Sequence, residues 1–139
     1  MTPLAPPEKL KAAFAKVLRA AAKLPGIEVG TAWGTPALRV KGKFLVCVRR
    51  DGETLALRTD FDSRDAMLTL EPDIFYITDH FRDYPGVIVR LSAVRQGKLR
   101  EILTDAWHLV APKSLVARHA VAVAPRKRKK PASPRKRTR

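Results

Sequence analysis

The sequence predicts an α+β domain, an antiparallel β-sheet of about five strands with helices packed on one face. Three observations predict it. The chain opens on an amphipathic helical stripe, continues as short alternating segments separated by tight-turn signals, and closes its apolar part with further helical segments. A strongly basic stretch follows that has nothing to bury.

The first helix is read over about 8–24. Leu10, Ala13, Phe14, Val17, Leu18, Ala21 and Leu24 recur at helical spacing and share one face. Pro7 suits a first turn, and Pro25-Gly26 ends the helix. Residues 26–36 read as irregular or extended chain. Ala37-Leu38-Arg39-Val40-Lys41 and Lys43-Phe44-Leu45-Val46-Cys47-Val48-Arg49 read as strands on either side of Gly42, which predicts a tight hairpin at Lys41-Gly42-Lys43. Asp51-Gly52 signals a second hairpin into Thr54-Leu55-Ala56-Leu57-Arg58-Thr59, so the three strands form a meander. Asp62 or Ser63 is expected to cap a short helix over 64–70. Segments 74–78 and 87–91 read as two more strands, joined by the aromatic, polar link Asp79-His80-Phe81-Arg82-Asp83-Tyr84-Pro85-Gly86. Leu99, Ile102, Leu103, Ala106, Trp107 and Val110 share one face of a helix over 98–110. Pro112 interrupts it, and a last helix is read over 114–123.

The 139 residues are the size of one domain, and 45% hydrophobic with 6% aromatic suffices for a packed core and excludes general disorder. The division expected is a folded unit over 1–124 and a disordered Lys/Arg/Pro-rich tail over 125–139. Cys47 sits inside an apolar run and reads as a buried core thiol; as the single cysteine it forms no internal disulfide, which fits a reducing cytoplasm. The first residues lack a signal-peptide pattern, and no run approaches the ~18 apolar residues of a membrane span.

Charge is the clearest functional signal. The net charge is +15, and nine of the 28 cations (Arg126, Lys127, Arg128, Lys129, Lys130, Arg135, Lys136, Arg137 and Arg139) fall in the last stretch, which holds no acid. All 13 acids lie before it, so the rest of the chain carries only +6. Such a tail is drawn to any polyanion, because phosphate contacts release condensed counterions. Ser133-Pro134-Arg135-Lys136 also resembles the Ser-Pro-basic elements of chromatin-protein tails. Within the sheet, Arg39 and Lys41 are expected on one strand face, and Arg58 and Arg90 follow apolar runs, so the four are candidates for a basic sheet surface. Trp33 and Tyr84 are candidate stacking groups beside it.

Other constellations favour structure over chemistry. Asp60, Asp62 and Asp65 lack the glycine and terminal glutamate of a calcium loop and suit a helix start. Asp79 beside His80 is the one place where acid–base chemistry is imaginable, yet no nucleophile elbow accompanies it. His108 and His119 lack ligand spacing. No metal, cofactor or enzymatic activity is expected.

The stretches Pro25-Gly26-Ile27-Glu28, Trp33-Gly34-Thr35-Pro36-Ala37-Leu38, Gly42-Lys43-Phe44, Thr59-Asp60-Phe61-Asp62, Thr78-Asp79-His80-Phe81-Arg82-Asp83-Tyr84-Pro85 and Asp105-Ala106-Trp107-His108-Leu109-Val110-Ala111-Pro112-Lys113 together resemble the MmcQ/YjbR family. They span about 10–118. The resemblance implies a compact α+β fold similar to CyaY or to type III secretion chaperones, and members are commonly labelled DNA-binding. It brings no catalytic residue. It singles out Trp33, Asp79, His80, Tyr84 and Trp107, with Trp107 read as structural on its buried stripe. The basic tail lies outside the shared region.

The reading is a monomeric, cytoplasmic, nucleoid-associated DNA-binding protein that binds mainly through its tail, with the sheet arginines adding to it. The alternative is a module for a small molecule or protein partner, with the tail serving solubility. A deep apolar pocket around Trp33 and His80 would favour the module. A continuous positive surface joining Arg39, Lys41, Arg58 and Arg90 would favour DNA.

Overall fold

A computed structural model describes residues 3–123. The expected basic tail, its disorder and its DNA-contacting residues therefore lie outside the described residues. The elements run α1 (Pro7–Ala20), β1 (Ile27–Ala32), β2 (Thr35–Val40), β3 (Lys43–Val48), β4 (Thr54–Arg58), α2 (Phe61–Leu70), β5 (Phe75–Tyr76), a 3₁₀ turn (Asp79–Phe81), β6 (Gly86–Arg90), α3 (Gln96–Val110) and α4 (Lys113–Val123). The fold is α+β. Its sheet has six antiparallel strands in the order β1-β2-β3-β4-β6-β5, one more than the pattern suggested.

The extra strand is β1, in a stretch that reads as irregular or extended chain. It pairs with β2 from Ile27↔Val40 to Ala32↔Thr35 across a two-residue turn. Both turn residues, Trp33 (φ 53°) and Gly34 (φ 82°), are left-handed, which is the hairpin geometry that follows strand twist. Lys41 (φ 50°) and Gly42 (φ 79°) repeat it between β2 and β3, so Lys41 lies in the turn and shares no strand face with Arg39. Helix α2 begins earlier than expected. Asp60, not Asp62 or Ser63, caps it by accepting the Ser63 amide at 2.7 Å. Helix α1 stops at Ala20, although Ala21 and Leu24 stay buried beyond it.

Strand alternation divides the side chains between two faces. One cross-strand row is Leu38, Val46, Leu57 and Val87, and a second is Val48, Leu55, Val89 and Phe75. Both rows join Leu10, Val17, Leu99, Leu103 and Trp107 of α1 and α3 in the main core. Trp107 is fully buried, and its indole N–H donates to the Pro25 carbonyl at 2.9 Å, which pins α3 to the segment linking α1 and β1. The opposite row reads Gly30, Ala37, Cys47, Ala56, Ile88 and Tyr76. Among the described residues its middle packs with Phe81 of the 3₁₀ turn rather than with α1 or α3, and there its residues Ala37, Cys47 and Ala56 are small.

Candidate functional site

Two residues of this row, Cys47 and Ala56, line a pocket of about 540 Å³, within the roughly 300–1,000 Å³ usual for ligand sites. Cys47 and Ala56 lie at its base, Trp33 and Phe44 form one wall, His80, Phe81 and Tyr84 form the other, and Arg49 and Arg50 close one end.

The first wall depends on two backbone features. A register shift between Leu38 and Arg39 sets Leu38 opposite Val46 but Arg39 opposite Phe44, leaving Leu45 as the extra residue of a bulge. Leu45 and Val46 consequently both pack into the main core, and Phe44 turns to the opposite face. There its ring meets Trp33 edge-on, with centroids 5.4 Å apart. Trp33 is 71% exposed on a left-handed turn. A bulky side chain in that conformation costs on the order of 1–3 kcal/mol, and the exposed ring returns little of it by burial.

The second wall is held from beneath by Arg64. This arginine on α2 is 7% exposed, and its Nη1 donates to the carbonyls of Phe81 (2.8 Å), Tyr84 (2.9 Å) and Gly86 (3.2 Å). Its Nη2 donates to the carbonyl of Arg82 at 3.1 Å, and Nε has no partner. One planar fork thus fixes the whole 81–86 loop. The guanidinium also lies 4.8 Å from the Phe61 ring centroid. Tyr84 folds back over Gly86, where a Cβ would sit 2.7 Å from the phenol ring, so only glycine permits the approach. Phe81 and Tyr84 then meet edge-on at 6.0 Å.

Two groups that line the pocket, Cys47 and Tyr84, are held in their neutral forms. Burial pushes the Cys47 thiol up, although hydrogen bonds from Thr35 and the Ala56 backbone and the charges of Arg49 and Arg39 oppose it. Burial likewise raises the Tyr84 phenol, against the pull of Arg58. Cys47 is buried as the sequence suggested, but its side of the sheet is the pocket floor.

The sequence-selected cations are placed as follows. Arg39, Arg58 and Arg90 alternate onto the open face with Arg49, and Lys41 does not. Arg39 donates to the Thr31 carbonyl at 2.9 Å. Arg58 donates to the carbonyls of Thr59 and Pro85, and Arg90 donates to those of Pro72 (2.9 Å) and Asp73 (3.3 Å) while covering the Tyr76 ring. Each of these guanidiniums thus bonds to the carbonyl of a neighbouring segment. Asp79 pairs with Arg82 at 2.9 Å rather than orienting His80, so the imagined acid–base pair is not assembled. His80 is exposed and touches Phe81 edge-on at 6.2 Å. Of the residues the motifs singled out, Trp33, His80 and Tyr84 line the pocket, whereas Asp79 does not and Trp107 is core. Phe44, Arg49, Arg50 and Arg64 were not anticipated.

Elsewhere, His108 and His119 meet at 6.0 Å, each edge-on to Trp107. No group of three or more metal-binding side chains occurs among the described residues. No helix among them is long and apolar enough to cross a membrane.

An antiparallel sheet backed by helices, with a walled trough on its other face, defines a small α+β protein with a preformed cavity. A family model for YjbR matches residues 22–109, well over half of the chain, and the chain belongs to that family. An uncharacterized protein of Mycobacterium bovis is 38% identical over 66 residues, covering 47% of this chain and 51% of its own. Two uncharacterized proteins of Mycobacterium tuberculosis strains match to the same extent. The match thus spans about half the length of these curated relatives.

Proposed function

We propose that the folded domain is a ligand-binding module and that its site is the pocket on the open face of the sheet. The observation that carries this reading is Trp33. A large ring held exposed in a strained backbone conformation, beside a trough of small residues, contributes little to the core and much to a binding wall. The Arg64 clamp supports it, because it preorganises the opposite wall. Binding would then require little rearrangement.

The test is a ligand-observed NMR screen of a mixed small-molecule library against the chain and its Ala56→Leu variant, whose added side chain would occupy the trough. Compounds that bind the parent and lose binding to a folded Ala56→Leu protein support the pocket. Compounds that bind both equally place binding elsewhere.

A second reading rests on a different observation, the nine cations and no acids of 126–139. That segment gives the chain non-specific affinity for nucleic acid, independent of the pocket. Anisotropy of a DNA duplex across a salt series tests it, using the chain and a variant with those nine cations replaced by glutamine. If about half of them meet phosphates, log affinity falls with log salt at a slope of about −4, and the variant loses that slope. Equal slopes in both proteins would move DNA binding to the folded domain.

A further inference from the structure

We infer that the pocket takes a flat aromatic acid, its ring over the Cys47–Ala56 floor between the Trp33–Phe44 and Phe81–Tyr84 walls, and its anionic group against the Arg49 guanidinium. This rests on the reading that the pocket is the binding site and names the chemistry that fits it.

The shape comes from the floor and walls. Cys47 and Ala56 are cross-strand partners with short side chains, so the centre of the trough is a low surface. The flanking groups are aromatic on both sides. Rings presented edge-on to one another leave faces and edges for a third ring, and aromatic contacts add about 0.5–1.5 kcal/mol beyond the area buried. A flexible aliphatic chain would gain none of that.

The charge comes from the open face. Arg39, Arg49, Arg58 and Arg90 all project there, and none is in an ion pair with a carboxylate among the described residues. The acid at the pocket's end, Asp51, is already engaged. Its carboxylate accepts from the Glu53 amide (2.8 Å), the Thr54 amide (3.0 Å) and the Thr54 hydroxyl (3.0 Å). The neutral thiol and phenol add no negative charge, so the field over the trough is positive.

Arg49 is the group able to act on it. Arg58 and Arg90 are committed to carbonyls that brace neighbouring segments. Arg49 lines the pocket, and its Nη1 has two long bonds to neutral hydroxyls, Thr54 Oγ1 at 3.4 Å and the Tyr76 hydroxyl at 3.5 Å. Exchanging these for a carboxylate gains a charge-assisted, forked interaction and disturbs no structural carbonyl. The Tyr84 phenol, kept protonated, is a second donor across the site.

The test is amide chemical-shift mapping and titration of the full chain with naphthoate and its neutral isostere naphthamide, repeated on Arg49→Gln, Arg49→Lys and Ala56→Leu. Naphthoate should shift residues 33, 44, 47, 49, 56 and 84 and bind about tenfold tighter than naphthamide, the worth of one charge-assisted hydrogen bond. Arg49→Gln should bring naphthoate down to the naphthamide level, and Arg49→Lys should fall between, keeping the charge without the fork. Equal binding of acid and amide at those residues overturns the anion assignment and leaves the pocket reading standing. Shifts confined to the basic segment, or binding unaffected by Ala56→Leu, overturn both.

Discussion

The two faces of one sheet are built from the same strands and have opposite purposes. On the helix side, Leu38, Val46, Leu57 and Val87 interlock with α1 and α3 and are essentially inaccessible. One residue to the side along each strand, the partners are Ala37, Cys47, Ala56 and Ile88, which pack with Phe81 of the 3₁₀ turn rather than with α1 or α3. Large side chains on one face fill space, and small ones on the other leave it. The pocket is therefore written into the alternation of the strands. It is closed at its sides by a strained hairpin tip and an arginine-braced loop rather than by a packed layer.

Mutations on the two faces should therefore have opposite signatures. Leu57→Ala opens a cavity in the packed layer and should destabilise by about 2–5 kcal/mol, read by chemical denaturation. Arg64→Met should cost on the order of 3 kcal/mol, because it strands the buried carbonyls of the 81–86 loop. Proteolysis should then cut that loop first. Trp33→Gly should leave stability unchanged or raise it by about 1 kcal/mol, since glycine accepts the left-handed turn, while weakening naphthoate binding. A large loss of stability there would make Trp33 a structural residue.

The smallest effect concerns pH on the helix side. Burial, with His119 alongside, holds the His108 imidazole below its ordinary range. The unfolded chain then binds that proton more readily, so stability should fall as pH drops below about 6.5 toward the folded-state value. His108→Gln should flatten that slope, while the pocket-side variant Trp33→Gly should leave it unchanged.

How much of this the sequence disclosed follows from what kind of signal each feature leaves. The helical stripes of α1 and α3 and the strands β2 to β4 are periodic, and the Lys41-Gly42 turn carries a glycine between strong strand formers. The equivalent turn at Trp33-Gly34 carries a weaker signal, because tryptophan is a poor occupant of φ 53°, and β1 is hidden with it. Phe44 was hidden by the bulge. Strict alternation sets Phe44 on the same face as Val46, and one inserted residue reverses that. Arg64 left no signal at all, since its acceptors are backbone carbonyls 17–22 residues away. His108 and His119 meet only because the chain turns back at Pro112. Local periodicity was thus visible, while the features that wall the pocket depend on strain, register and long-range backbone contact.

The most direct measurement is the paired stability and naphthoate affinity of Ala56→Leu. If the open face is a ligand floor, the larger side chain grows into empty space, so stability changes by less than about 1 kcal/mol while binding is lost. A destabilisation within the overpacking range of about 1–3 kcal/mol, or binding that survives intact, would contradict it and make the open face an ordinary part of the core.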